Sequence, residues 1–187
     1  NVSGANLVQA LLVVGMFGMF FLGALYMQRV LGYDALEVGL AYLPTTLVMG
    51  TMSFRFSARL NMRYGPKATL IPSMVAIAAG LLLFARTPVE ASYVADLLPG
   101  LLVLGPGLGA ATVAASIAAV AGVAERESGL ASGISNTSFQ IGGAFGVALL
   151  TTIAAARTAQ VDGLEDAALT AGFRVAFAVA AVVSLLG

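Results

Sequence analysis

Six runs of predominantly apolar residues divide this chain of 187 residues, each near the roughly 20 residues that a helix needs to cross about 30 Å of hydrocarbon. They occupy approximately residues 6–27, 38–58, 68–85, 92–121, 129–153 and 171–187. The breakers and charges fall between them, in LGYDALE, RLNMRYGPK, RTPVEA, GVAERES and the longer RTAQVDGLEDAA. No water inside a bilayer satisfies backbone N–H and C=O groups, so runs of this length predict helices that close their own hydrogen bonds. Composition points the same way: 59% of residues are hydrophobic and 10% charged, with mean hydropathy +0.97, where a soluble domain carries about 25% charge. The expected class is an all-α integral membrane protein with six spans.

The same composition excludes much chemistry. The sequence has no Cys and no His, which removes thiolate chemistry, the commonest metal ligand and the usual proton shuttle. Lys67 is the only lysine and follows no phosphate-binding glycine loop. Nine basic residues balance nine acidic ones, so nothing marks a nucleic-acid surface. Without a His beside a Ser, or an Asp pair at membrane depth, serine and aspartyl intramembrane enzymes lack their machinery. No catalytic residue, metal site or cofactor is expected. The chain opens at Asn1 without Met and stops at Gly187 inside an apolar run, and is expected to be a fragment with its last helix cut short.

Short loops rich in Lys and Arg stay on the cytoplasmic side. Arg55, Arg59, Arg63 and Lys67 crowd the turn after the second helix, which places loop 59–67 in the cytoplasm. Alternation adds Arg126 to that side and leaves Arg29, Arg86, Arg157 and Arg174 opposite. The acidic Asp34, Glu37, Glu90, Asp96, Asp162, Glu165 and Asp166 fall mostly on the outer side. EVGLA at 37–41 and ESGLA at 127–131 open the second and fifth helices, which enter the membrane from opposite sides. An inverted repeat of three plus three helices has this form, and chance in a chain rich in Ala, Gly and Leu is the other reading.

Three stretches carry a family resemblance: VGLAYLP opening the second helix, ARLNMRYGPKATL at 58–70, and GPGLGAATVAASIAAVAGVAERESGLASGISNTSFQIGGAFGVALL from Gly105 to Leu150. From about residue 30 onward the chain resembles the C-terminal six-helix half of a major facilitator superfamily transporter, most like the fourteen-helix drug:proton antiporters of bacteria. The resemblance implies one bundle over residues 1–187, an N-terminal half elsewhere in the same chain, and the bacterial plasma (inner) membrane. It also implies a cytoplasmic gate loop of pattern G-x-L-x-D-R-x-G-R-K. Leu60, Arg63, Gly65 and Lys67 match it, whereas Ala58, Met62 and Pro66 replace its first Gly, its Asp and a basic residue. The lost Asp puts the gate role of Arg59, Arg63, Gly65 and Lys67 against plain topogenic charge. Gly65 also suits a tight turn with positive φ.

In that family the first and fourth helices of each half line the central cavity, the second and fifth face the other half, and the third and sixth face lipid. On the first helix, Asn6, Gln9, Val13, Met16, Phe17, Phe20, Ala24 and Met27 share a broad face. Carboxamides followed by soft Met and aromatic surface can accept varied apolar ligands, or the apolar members simply pack. On the fourth helix, Pro99 and Pro106 free the carbonyls of Ala95 and Leu102. There Gly105, Gly109, Thr112 and Ser116 share a face, with the first two at GxxxG spacing that lets another helix approach closely. On the fifth helix Gly133, Asn136, Gln140 and Gly143 make one small, hydrogen-bonding face, while Ser135, Phe139, Gly142 and Gly146 make a packable one. An unpaired carboxamide in hydrocarbon costs several kcal/mol. Asn136 and Gln140 are therefore expected to meet the other half across the pathway, as interhelical partners or as substrate contacts.

Transport by alternating access is the expected function, with proton-coupled export of hydrophobic or cationic drugs implied by the resemblance. Protons and a small-molecule substrate are then partners alongside the bilayer. No span carries a titratable group near its middle, so the coupling carboxylate is expected in the N-terminal half, with Asp96 the one candidate here. A permease or exporter of a native metabolite is the alternative, followed by a channel or a non-transporting six-helix protein.

Overall fold

The computed structural model describes residues 2–120, 123, 125–161 and 163–186. Asp162 and the side chain of Asn6 lie outside the described residues. Helix α1 spans Val2–Arg29, α2 Ala35–Thr51, α3 Ala58–Phe84, α4 Leu98–Val120, α5 Ser128–Thr158 and α6 Glu165–Leu185. A π-helical segment, Met52–Ser57, joins α2 to α3, another, Tyr93–Leu97, leads into α4, and a 3-10 turn, Glu125–Glu127, precedes α5. Among the described residues, five helical stretches are long and apolar enough to cross a membrane.

One of those stretches, Ala35–Phe84, has 50 residues, about 75 Å if straight and more than twice the hydrocarbon thickness. It does not run straight. Gly65 has φ 82 and ψ 162, a conformation that L residues avoid, and Pro66 restarts the helix with its missing N–H at the first position. Glycine contacts give the directions. Gly105 and Gly109 of α4 approach Thr45 and Met49 of α2 in parallel order, whereas Gly100 and Gly107 approach Gly80 and Ser73 of α3 in antiparallel order. The chain therefore reverses at Gly65, and six crossings result.

The turn expected over RLNMRYGPK contracts to that one residue. Arg59 and Arg63 ride exposed on the helical arm before the break and Lys67 on the arm after it, because a charged residue is compatible with a helix that has emerged from hydrocarbon. Helix α6 likewise starts at Glu165 rather than near 171, with Glu165 and Asp166 in its first turn, where the helix dipole favours carboxylates. Pro99 breaks no helix. It sits in the first turn of α4 behind the π-helical segment, where a missing N–H costs little. Pro106 is the proline inside α4.

The core runs between α1, α3, α4 and α6, around Tyr26, Leu81, Phe84, Leu101, Leu104 and Phe177. The rings of Phe84 and Phe177 lie 5.4 Å apart. Exposed Ile71, Val75, Val175 and Val182 on α3 and α6 suit the lipid contact expected of those helices. Two further interfaces depend on small residues. A Cβ on Gly109 would stand 2.5 Å from the Met49 carbonyl oxygen, and one on Gly142 or Gly146 would stand 2.9 Å or 2.7 Å from Cα of Ala10 or Val14. Exchanging the first three helices for the last three turns the α1–α5 pair into the α4–α2 pair, so both equivalent interfaces close on Gly-x-x-x-Gly. EVGLA and ESGLA open the equivalent helices α2 and α5, with one difference. Glu37 completes a capping box with Asp34 (2.9 and 2.8 Å), while Glu127 makes no side-chain cap.

Gly146→Val should therefore lower stability by about 1–3 kcal/mol, the cost of overpacking a closed interface. Gly133→Ala, whose Cβ meets nothing within 4 Å, should be neutral or stabilising by up to about 1 kcal/mol. Thermal midpoints in detergent check both, and equal midpoints for the two variants would contradict the packing.

Candidate functional site

Helix α5 has three sectors. Its buried stripe, Ala131, Ser135, Gly142, Gly146, Leu150 and Ala154, packs on α1 and α6. About a third of the circumference to one side, at about 100° per residue, lie the exposed Ile134, Ile141 and Phe145. A similar turn the other way brings Gly133, Asn136 and Gln140, also exposed. Only 28% of the membrane-length window of α5 is buried, against 44–56% in the other spans, so this helix leaves most of its surface open. One flank is greasy and suits lipid; the other is not. Neither Asn136 nor Gln140 has a hydrogen-bond partner among the described residues.

Beside the polar flank, α1, α4 and α5 enclose a cavity of about 340 Å³. Gln9 and Leu12 line it from α1, Thr112, Ala115 and Ser116 from α4, and Ser132, Ser135, Asn136 and Phe139 from α5. Gln9 is 6% exposed and accepts a hydrogen bond at Oε1 from the Ser135 hydroxyl, 2.6 Å away. Thr112 donates to the carbonyl of Leu108 (2.8 Å) and Ser116 to that of Thr112 (2.8 Å). Among the described residues no charged side chain lines the cavity. It lies toward the end of the bundle that gathers Gly65, the start of α5 and the end of α4.

The opposite end is stitched shut. Tyr26 donates to the Pro88 carbonyl (2.6 Å), Tyr93 to that of Ala41 (2.8 Å) and Arg174 through Nε to that of Ala85 (2.9 Å), so side chains of α1, of the π-helical segment before α4 and of α6 grip backbone elsewhere. Asp96 belongs to that end and is half-buried. Its carboxylate accepts from the backbone N–H of Ser92 (2.8 Å), a capping role at the start of the fourth span.

Of the residues expected to form the pathway, Gln9, Thr112 and Asn136 come together on this cavity. Gln140 stands one turn further along the same flank. Met16, Phe17 and Phe20 do not line the cavity. Met16 packs against the core, Phe17 meets Phe139 edge-on with centroids 5.8 Å apart, and Phe20 tilts on Tyr42 at 5.0 Å. Val13 and Met27 are fully buried, so most of the broad α1 face is helix contact. Gly105, Gly109 and Gly143 are packing positions, Gly143 against Val13 and Phe17; Gly133 packs against nothing. Ser116, Ser132 and Ser135 complete the cavity without having been singled out as site residues. The signal for Ser135 was its place on the packable stripe, where a hydroxyl requires a partner on the facing helix. A second polar seam also lay unread: Ser53 donates to the Gly109 carbonyl (3.0 Å), and Asn61 to the Ser57 carbonyl (2.8 Å).

Residues 7–187 match the family model of the Major Facilitator Superfamily. The puromycin resistance protein of Streptomyces alboniger is 35% identical over 192 residues, covering 98% of this chain and 38% of that protein. The cephamycin export protein of Amycolatopsis lactamdurans is 34% identical, over 84% of this chain and 32% of that protein. A multidrug efflux pump of Mycolicibacterium smegmatis is 29% identical, over 79% and 29% respectively. The chain thus spans well under half the length of these curated relatives.

Because their carboxamides touch no partner, Asn136→Ala and Gln140→Ala should each change stability by less than about 0.5 kcal/mol, as at an ordinary surface position. Chemical or thermal unfolding of the purified bundle checks this. Losses above about 1 kcal/mol would mean that these side chains are structural.

Proposed function

The chain belongs to the Major Facilitator Superfamily, and from that membership we propose that it is the C-terminal six-helix half of a proton-coupled exporter of small hydrophobic or cationic drugs. It is a multi-pass membrane protein, and its family points to transport rather than catalysis. The observation that carries the reading is the polar flank of α5. Two exposed carboxamides with no partner among the described residues adjoin a polar cavity whose described lining is uncharged, and hydrocarbon is no environment for them. An N-terminal bundle meeting this flank, with water and substrate between the halves, would satisfy them. The relatives named for puromycin resistance, cephamycin export and multidrug efflux support the substrate class.

In this reading the protein lies in the bacterial inner membrane. The end carrying Arg59, Arg63 and Lys67 faces the cytoplasm, so the cavity opens toward the side from which a drug is collected, while the tyrosine and arginine ties close the outer end. Gly65 and the flanking basic residues then form the cytoplasmic gate loop. The proton-coupling carboxylate lies in the other half, since Asp96 is engaged in capping. Export of one native metabolite is the second reading, favoured by the relative named for cephamycin export alone.

The test is drug accumulation in a sensitive bacterium expressing the intact protein. Wild type should lower puromycin accumulation in a manner abolished by a protonophore. Asn136→Leu and Gln140→Leu, at equal membrane abundance, should each weaken export about tenfold, the loss of about 1.4 kcal/mol of hydrogen bonding. Unchanged export in both variants would remove the flank from the pathway. Asp96→Asn should leave the pH dependence of export intact; its abolition would relocate the coupling acid to this half.

A further inference from the structure

We infer that Ser135 positions the Gln9 carboxamide so that the cavity reads a neutral amide-type group on its ligand, a carbonyl oxygen on one side and an N–H or O–H on the other. This rests on the transport reading above and specifies what the site would recognise. The 2.6 Å separation between Ser135 Oγ and Gln9 Oε1 suits a hydroxyl donating to oxygen, which centres near 2.7–2.8 Å, and is short for an amide N–H, which centres near 2.9–3.0 Å. Gln9 is therefore held with its oxygen toward α5 and its Nε2 group turned away.

That nitrogen has no partner among the described residues. Gln9 lines the cavity, and with its oxygen held by Ser135 the Nε2 group is the part of its carboxamide left for a ligand there. The α4 wall has the opposite character. A hydroxyl has a single hydrogen, and Thr112 and Ser116 spend theirs on the Leu108 and Thr112 carbonyls. Only their lone pairs remain for a ligand. The α1 wall thus donates and the α4 wall accepts, with Leu12, Ala115 and Phe139 as apolar surface between, Ser132 and Asn136 on α5 able to do either, and no charged side chain among the described lining residues. Without Ser135, Gln9 would be free to turn its nitrogen elsewhere.

Transport by inverted vesicles carrying the intact protein tests this with two probes: puromycin, which bears an amide and hydroxyls, and tetraphenylphosphonium, which bears no hydrogen-bonding group. Ser135→Ala and Gln9→Met should each raise KM for puromycin about tenfold, the loss of a well-placed hydrogen bond, with kcat little changed and tetraphenylphosphonium transport unaltered. An unchanged puromycin KM, or equal losses for both probes, would overturn the assignment and leave the pair as packing. If Gln9→Met lowers abundance, Ser135→Ala decides, since it removes one hydroxyl and little volume. Wild-type vesicles that move neither probe would sink the transport reading itself, a result distinct from either outcome in the variants.

Discussion

A hydrogen-bonding group without a partner in hydrocarbon costs several kcal/mol, and almost every polar residue in this bundle is arranged to escape that cost. The hydroxyls of Thr46, Thr112, Ser116, Thr137, Thr151 and Ser184 each donate to the carbonyl four residues back, a solution available to Ser and Thr inside any helix. Tyr42 finds the Phe20 carbonyl across an interface (3.1 Å), and Asn61 finds that of Ser57. Against this economy Asn136 and Gln140 stand out: the buried Thr45 and Thr170 hydroxyls also go unpaired, but these two carboxamides are exposed and long enough to reach a neighbour, yet reach none among the described residues. The exception gives the functional reading its physical ground.

Packing and opening are divided between the two ends of the bundle. Glycines at 105, 109, 142 and 146 bring α4 onto α2 and α5 onto α1, and leave no room for a Cβ at their tightest points. Such interfaces move as units, because an interior at close packing does not deform continuously. Side-chain ties from Tyr26, Tyr93 and Arg174 fasten one end. The polar cavity lies toward the other, beside the least buried helix. A bundle with a fastened end and an open polar flank fits the proposed function, in which two halves rock about a central site.

Much of this was legible in the sequence because two of its signals are strong. Run length fixed the six crossings, even where Ala35–Phe84 is helical almost throughout, since Gly65 followed by Pro66 marked the reversal. GxxxG spacing located the close approach of α4, the packable face with Gly142 and Gly146 located that of α5, and the angular separation of Asn136 and Gln140 from those glycines anticipated the exposed flank. What was not legible turned on pairing between helices. Nothing in α1 alone distinguishes Phe17 as a partner of Phe139, or Phe20 of Tyr42, from residues facing a cavity, since an apolar stripe reads alike in both settings. Ser135 was assigned to packing for the same reason: its bond to Gln9 joins residues 126 positions apart. Pro99 was read as a break because the π-helical segment before it, which makes it a first-turn residue, leaves no mark in composition.

The central claim is that the Gly133, Asn136 and Gln140 flank of α5 borders a water-filled path between two bundles. Cysteine scanning of residues 132–150 in the intact protein, with a membrane-impermeant maleimide, reads this most directly, and this chain contributes no thiol of its own. Labelling should recur with helical period at 133, 136, 140 and 144, with none at Ile134, Ile141 or Phe145. Uniform protection of the 133–144 flank, or labelling strongest on the Ile134 side, would contradict it.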